Sequence, residues 1–336
     1  MEDILFIRLR LLGDIIFTIP AVQIYRRHFP DSRIYYLVEE KFREAAALVP
    51  GIDQVLTVPF KMGLKDIFRF RREIRGLGID TVVDFHSGPK AALLTRLTGA
   101  KIRIGYHTPN RNWAYNRLIP RKIGPGFTHS VFNQARLLTL LGIPIKAEEI
   151  PVYPEIPIDE TRVAENVKEA VDGRKKIVLH IGAGNRFRDW GTENFFSLIE
   201  KLNQCPDCKV EVLLIGNTEA ERQRGNYLQE RLRVRDLTGR LSILETLYVI
   251  SKAAVYFGVD SGALHLASLT ATPIVALYGP NIPAVSGPWR QSQVTLLQQD
   301  LACRPCSQRG CQYDTMMCMK NITVDETYEA IIRYLQ

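Results

Sequence analysis

The chain has 336 residues, 46% of them hydrophobic, which is enough to bury a large core and to form two domains. No apolar run reaches the roughly 18 residues of a membrane span, and the opening "MEDILFIRLR" lacks the basic head and small-residue site of a signal peptide. A cytoplasmic protein is therefore expected, its six cysteines being thiols or metal ligands rather than a disulfide frame. The net charge of +8 lies wholly in the first half: residues 1–150 hold 23 Lys and Arg against 14 Asp and Glu, the other 186 hold 21 against 22.

In chain order, "DILFIR" (3–8) is a strand, followed by a helix from about Asp14 to His28. "RIYYLV" (33–38) is the next strand, and "KFREAAALV" is helical. "QVLTV" (54–58), "TVVDF" (81–85) and "KIRIG" (101–105) continue the series, with helical segments between them. "LIPRKIGPGFTH" (118–129) is a Gly/Pro loop, and "SVFNQARLLTLLGI" is another helix. Apolar runs separated by helical periodicity imply a parallel sheet covered on both faces. The basic excess concentrates in "KMGLKDIFRFRREIRG" (61–76) and in residues 101–122, where Lys101, Arg103, Arg111, Arg117, Arg121 and Lys122 face no acid. Such runs are either a solvated face or the footprint of an anionic partner: a phosphorylated lipid, a membrane surface or nucleic acid.

"IPVYPEIPIDE" (150–160) holds three prolines and reads as a linker. Beyond it the pattern restarts with "KIVLHIG" (176–182), "KVEVLLIG" (209–216), "AAVYFGV" (253–259) and "TPIVALYG" (272–279), and closes on an amphipathic helix in "TVDETYEAIIRYLQ". Two doubly wound α/β domains are expected, one over 1–155 and one over 170–320, with 321–336 as a closing helix.

Ligands of open parallel sheets sit beyond the carboxyl ends of the strands, so four exits are informative. In "RLRLLGDIIFTIP" (8–20), Gly13 permits a tight turn and Asp14 stands at a helix start, either as an N-cap or as a general base facing an interdomain cleft. In "LHIGAGNRFRDWGTENF" (179–195), Gly182 and Gly184 let backbone approach a ligand, and Arg186 and Arg188 suit phosphate, although a plain turn also explains the glycines. The third glycine of a dinucleotide fingerprint is missing, which disfavours a nicotinamide enzyme. In "LLIGNTEAER" (213–222), Glu219 could meet a ribose hydroxyl and Asn217 could cap. In "FGVDSGALHLAS", Asp260, Ser261, Gly262 and His265 interrupt a core-like stretch; backbone N–H groups there could face a diphosphate while Asp260 accepts from sugar hydroxyls. "CRPCSQRGCQYDTMMC" places Cys303, Cys306, Cys311 and Cys318 within sixteen residues, as unligated thiols, a labile disulfide or a zinc site, while Cys205 and Cys208 look incidental.

"ILFIRLRLLGDIIFTIPAV", "GAGNRFRDWGTENF", "GVDSGALHLAS" and "PIVALYGP" resemble, in order and spacing, the glycosyltransferase family 9 heptosyltransferases of the lipopolysaccharide inner core. The resemblance implies a GT-B fold with two facing Rossmann-like domains, the first for the acceptor glycolipid and the second for ADP-heptose. It implies inverting transfer without a metal or other cofactor, at the cytoplasmic face of the inner membrane, with no nucleic acid involved. Asp14 matches the family's catalytic base. Asp260, Ser261, Gly262 and His265 match its donor contacts, Arg188 stands where many members carry a lysine, and Leu241 falls near the adenine. Arg10 and Leu11 replace small hydroxyl residues common before the "GD" turn, so Arg10 and Gly13 are expected on the acceptor side. A closing helix that crosses back to the first domain is also implied. The chain itself contains no Asp-x-Asp, the usual metal-binding pair for a nucleotide sugar. A family 9 transferase acting on another sugar nucleotide and a non-catalytic basic binding protein are the competing readings.

Overall fold

A computed structural model of the chain describes residues 3–121, 128–206, 208–289, 293–313 and 315–336. The chain divides into two compact units, Met1–Tyr153 and Pro154–Gln336, and the division falls inside the proline-rich stretch. Lys122 and most of the Gly/Pro loop that follows it lie outside the described residues.

The first unit carries β1 (Ile4–Ile7), β2 (Ile34–Glu39), β3 (Gln54–Val58), β4 (Thr81–Asp84), β5 (Ile102–Tyr106) and β6 (Arg117–Ile119), in the order β3-β2-β1-β4-β5-β6. The second carries β7 (Lys175–His180), β8 (Val210–Ile215), β9 (Arg235–Asp236), β10 (Val255–Val259), β11 (Ile274–Tyr278) and β12 (Val294–Gln298), in the order β12-β11-β10-β7-β8-β9. All the pairings are parallel, with Ile4 beside Ile34 and Thr81, and Ile177 beside Val212 and Val255. Parallel strands need crossovers, and the crossover helices cover both faces of the sheet. That is why β1, β10 and β11 are unbroken apolar runs, and why they and β2 and β4, which end on Glu39 and Asp84, are buried at every position.

Both sheets are wound the same way. The chain builds outward from its first strand, then returns to that strand's other edge, so the order reverses between β1 and β4 and again between β7 and β10. A reversal leaves a crevice at the carboxyl ends of the two strands, because their crossovers leave on opposite faces.

Several elements differ from expectation. The helix expected from Asp14 to His28 is two helices, Leu12–Ile16 and Ile19–His28, parted at Phe17 and Thr18. Pro20 stands in the first turn of the second one, where its missing N–H breaks no helical bond. The stretch from Ser130 is α-helical only to Ala135, then continues as 3₁₀ turns to Leu141 and stops at Gly142 in a left-handed conformation. Strands β6, β9 and β12 have no counterpart in the expected series; they are short or lie at sheet edges, and are half exposed.

One correction concerns the carboxyl-terminal half. Cys205 and Cys208 are not incidental: the turn from the Thr192–Gln204 helix toward β8 brings their Cα atoms to 5.5 Å, and they are joined as a disulfide. The Val324–Ile332 helix lies within the second compact unit. Ile322, Ala330, Ile331 and Leu335 enter the second unit's own core beside Leu198 and Leu202. The Trp190 indole N–H donates to the Ile322 carbonyl at 2.9 Å, tying the tail to the loop after β7.

Candidate active site

The first reversal point holds Asp14. The positive φ before it falls on Leu11, at 68°, and not on Gly13, which is the second residue of the Leu12–Ile16 helix and is buried. The expected glycine turn is thus corrected to a strained, exposed leucine. That helix has no side-chain cap, so Asp14 is not an N-cap either. Its carboxylate turns back to Arg8, whose buried guanidinium pairs with Asp14 through one nitrogen and donates to the Phe85 carbonyl at 3.0 Å through the other. Phe85 follows β4, so Arg8 bridges the two strands that flank the reversal. The Asp14 side chain is 26% exposed, enough for a hydroxyl to reach it. Arg10 sits at the same exit, its Nε 3.1 Å from Oε1 of the buried Glu39 and its guanidinium over the Phe60 ring. Lys90 holds the same Glu39 oxygen at 3.0 Å.

A fifth exit, after β4, joins this group and was passed over in sequence. Asp84 is fully buried and accepts from the backbone N–H groups of His86 and Ser87 at 2.8 and 2.9 Å, and from the Tyr115 hydroxyl at 2.6 Å. Burial pushes its carboxyl above the usual range despite those donors. Burial also pushes the Tyr115 phenol up, and the neighbouring Asp84 charge adds to it. His86 is held down to about 4 by burial and then by Arg8, Arg10, Arg121 and Lys90. A neutral imidazole beset by four cations marks a positive environment, which suits an anionic ligand. The signal was present in "VVDFHSG": acid, histidine, serine and glycine at the end of an apolar run.

The second reversal point lies after β7 and β10. Here Arg188 donates from Nε to Gln308 Oε1 at 2.9 Å and from an NH to the Asp260 carbonyl at 3.2 Å, with the Asp260 carboxylate 3.6 Å away. Asn281 donates to that carboxylate and accepts from Gln308 at 2.7 Å. The loop carrying Arg188 is fixed from below, where Arg224 grips Asp189 through two nitrogens at 2.9 and 2.7 Å and also reaches the Ile181 carbonyl. Ser261 begins the Gly262–Ala267 helix without capping it, and its hydroxyl is 3.3 Å from His180 Nδ1. His265 is buried in that helix, and Leu241 is half-buried just before the Ser242 cap of the next helix upstream.

The two glycines after β7 differ in purpose. A Cβ on Gly182 would stand 1.9 Å from Glu221 Oε1, so this glycine makes room for protein. A Cβ on Gly184 would meet nothing within 4 Å, so this one borders open space. The acids at the start of the Glu219–Gln229 helix also divide. Glu219, the expected ribose contact, is exposed and paired with Arg222, whereas Glu221 turns inward. Burial alone would raise Glu221; His180 and the N–H groups of Thr218 and Asn217 reverse this, leaving the carboxyl below its usual range. Burial holds His180 below its own range, with the charge of Glu221 opposing.

The cysteine segment folds onto this exit. Cys306 N–H donates to the Pro280 carbonyl at 3.2 Å, and Arg304 donates to the Asn281 carbonyl at 2.7 Å. Cys303, Cys306, Cys311 and Cys318 are free, half-buried thiols. Burial and then the other three cysteines push the Cys318 thiol up. Among the described residues no cluster of three or more His, Cys, Asp or Glu is disposed to hold a metal ion. Shallow cavities of about 410 and 380 Å³ lie at the opposite, amino ends of the two sheets, beside Glu211 and Asp80, away from this chemistry.

Doubly wound sheets with polar residues at their reversal points serve many chemistries; two of them in one chain are the plan of GT-B glycosyltransferases. The sequence matches the family model "Glycosyltransferase family 9 (heptosyltransferase)" over residues 67–317. The chain belongs to that family and is a glycosyltransferase. It is 27% identical over 326 residues to lipopolysaccharide heptosyltransferase 1 of Pseudomonas aeruginosa, covering 92% of this chain and 87% of that one. It is 23% identical over 300 residues to lipopolysaccharide heptosyltransferase 3 of Escherichia coli, covering 85% and 86%. The fold is similar to the E. coli ADP-heptose lipopolysaccharide heptosyltransferase II structure, with a TM-score of 0.81 at 19% identity over 99% of this chain and 98% of that one. E. coli heptosyltransferase WaaC with ADP gives 0.74 at 20% identity over 99% of each chain. Among the described residues no helix is long and apolar enough to cross a membrane.

Proposed function

We propose that this transferase moves heptose from ADP-heptose to the inner core of a lipopolysaccharide precursor at the cytoplasmic face of the inner membrane, inverting the anomeric centre and using no metal ion. The observation that carries this reading is Asp14, a carboxylate open to solvent at a reversal point yet held by a buried arginine. The acceptor oxygen attacks the anomeric carbon and its proton passes to Asp14. The bond from that carbon to the diphosphate oxygen breaks on the opposite face, and ADP leaves with the electron pair. Arg188 offsets the charge on the leaving diphosphate; the chain's lack of an Asp-x-Asp leaves that task to it and to backbone N–H groups.

The remaining roles follow by position. Gly184 borders space for the diphosphate, with Ser261, Gly262 and His265 beside it. Asp260 accepts from sugar hydroxyls, Leu241 abuts the adenine, and Glu219 would have to leave Arg222 to reach a ribose. Arg10 and the main chain at Gly13 meet the acceptor, whose acidic groups suit the cations around His86. Relatives named as lipopolysaccharide heptosyltransferases and a similar fold carrying ADP support this choice of acceptor and donor. A thermal-shift series with sugar nucleotides tests it: ADP-heptose and ADP should raise the melting temperature. Stabilisation by UDP or GDP sugars alone would reject the ADP donor.

A further inference from the structure

Of the large apolar side chains exposed in the first unit, Leu11, Leu93, Trp113 and Val152 are scattered along the chain, whereas the others fall between positions 60 and 68. Phe60, Leu64 and Phe68 are 56, 75 and 66% exposed. Phe60 precedes the Leu64–Gly76 helix, and Leu64 and Phe68 stand four apart on it, on one face. Helical spacing of 100° per residue puts Lys65, Arg71 and Arg72 around that same face, and all three are exposed, whereas Arg75 donates to the Leu97 carbonyl at 3.3 Å. The helix has its own inner side, where Phe70 and Ile74 are buried against the sheet. Its two acids point elsewhere: Asp66 accepts from the Gly63 N–H and pairs with Arg69, and Glu73 lies half a turn round from Leu64. The apolar arc of the helix therefore runs on from the buried Phe70 and Ile74, through the half-buried Ile67, to the exposed Leu64 and Phe68, and cations frame that exposed end.

A solvated helix has no use for an apolar arc that continues past its buried side. Apolar residues inside a ring of arginine and lysine match the layering of an anionic bilayer surface, with acyl chains below and phosphates above. Nucleic acid fits less well, since Leu64, the most exposed of the three, offers no ring for a base to stack on. Phe60 ties the patch to the chemistry: its ring lies under the Arg10 guanidinium at 5.2 Å, at the exit that presents Asp14.

We propose that the outward face of residues 60–75 docks on the headgroup layer of an anionic phospholipid bilayer. Phe60, Leu64 and Phe68 enter the acyl boundary, while Lys65, Arg71 and Arg72 lie at the level of the phosphates. This surface does not depend on which sugar is transferred, and its test uses no donor. The full chain is sedimented with vesicles of phosphatidylcholine alone and of phosphatidylcholine mixed with phosphatidylglycerol. Binding should favour the anionic vesicles by about tenfold or more. The double substitution Leu64→Ser with Phe68→Ser should cut that binding by about tenfold or more, leaving the melting temperature and ADP affinity unchanged. Arg71→Glu with Arg72→Glu should cut it comparably and flatten its salt dependence. Equal binding to neutral vesicles, binding untouched by either double substitution, or tighter binding to an oligonucleotide than to vesicles would each overturn the proposal.

Discussion

Replacing Arg8 with methionine tests how Asp14, the proposed base, is held. The native guanidinium is buried, donates to the Phe85 carbonyl and pairs with Asp14. A charged hydrogen bond to a buried carbonyl contributes about 1.5 to 3 kcal/mol, whereas the pair with a partly solvated carboxylate adds no more than about 1. Methionine fills much of the volume, so Arg8→Met should cost about 2 to 3 kcal/mol of stability. The larger effect is on turnover, because an acid freed from its partner swings away from the line of attack; misplacement of that order lowers rates by up to about 100-fold. Arg8→Lys keeps the charge but lacks the fork to reach Phe85 and Asp14 together, so it should recover only part of the rate. Initial rates of ADP release at saturating donor, with calorimetric ADP affinity as the control, separate positioning from binding. If Arg8→Met turns over within about twofold of the native enzyme while ADP affinity is unchanged, Arg8 does not position the base.

Three further outcomes follow from the geometry. Arg188→Ala should weaken ADP binding by about 10- to 100-fold, as loss of a charge-assisted contact implies; unchanged affinity by calorimetry would remove Arg188 from the donor site. Gly182→Ala should destabilise the fold, because its Cβ would collide with Glu221, whereas Gly184→Ala should melt like the native protein and lose donor affinity; the reverse pattern would contradict these assignments. His86, held at about 4, excludes a proton that the unfolded chain binds below its ordinary 6.5. Its contribution to stability is therefore full above pH 6.5 and is lost toward pH 4, by an amount on the order of 2 kcal/mol for a partly buried ring. His86→Asn should flatten that part of the pH–stability curve, and an unaltered curve would refute the shift.

The central strands were legible because both faces of a parallel sheet are buried, which leaves runs such as "IYYLV" and "IVALY" with no polar interruption. Edge strands lack that pressure: Val294–Gln298 is half exposed, Arg235–Asp236 has two residues, and neither announces itself. The same rule made Asp14 and Asp260 visible as polar residues at strand exits, and it should have exposed Asp84 too. Arg8 was hidden by its neighbour, since "RLR" does not say which arginine turns inward once the strand ends at Ile7. Glu221 was recoverable from Thr218, because a Thr-x-x-Glu capping box fixes the second acid against the helix start and leaves Glu219 outside. The positive φ at Leu11 was not recoverable, because leucine gives no sign of left-handed backbone. The disulfide between Cys205 and Cys208 depends on a turn whose geometry spacing alone does not set.

The measurement that bears most directly on the account is turnover of Asp14→Asn set beside its ADP affinity. Asparagine keeps the shape and can still accept from Arg8 but cannot take a proton, so transfer should fall by about 10² to 10⁴ with donor affinity intact. An Asp14→Asn enzyme that transfers sugar at close to the native rate would contradict the assignment of Asp14 as the base.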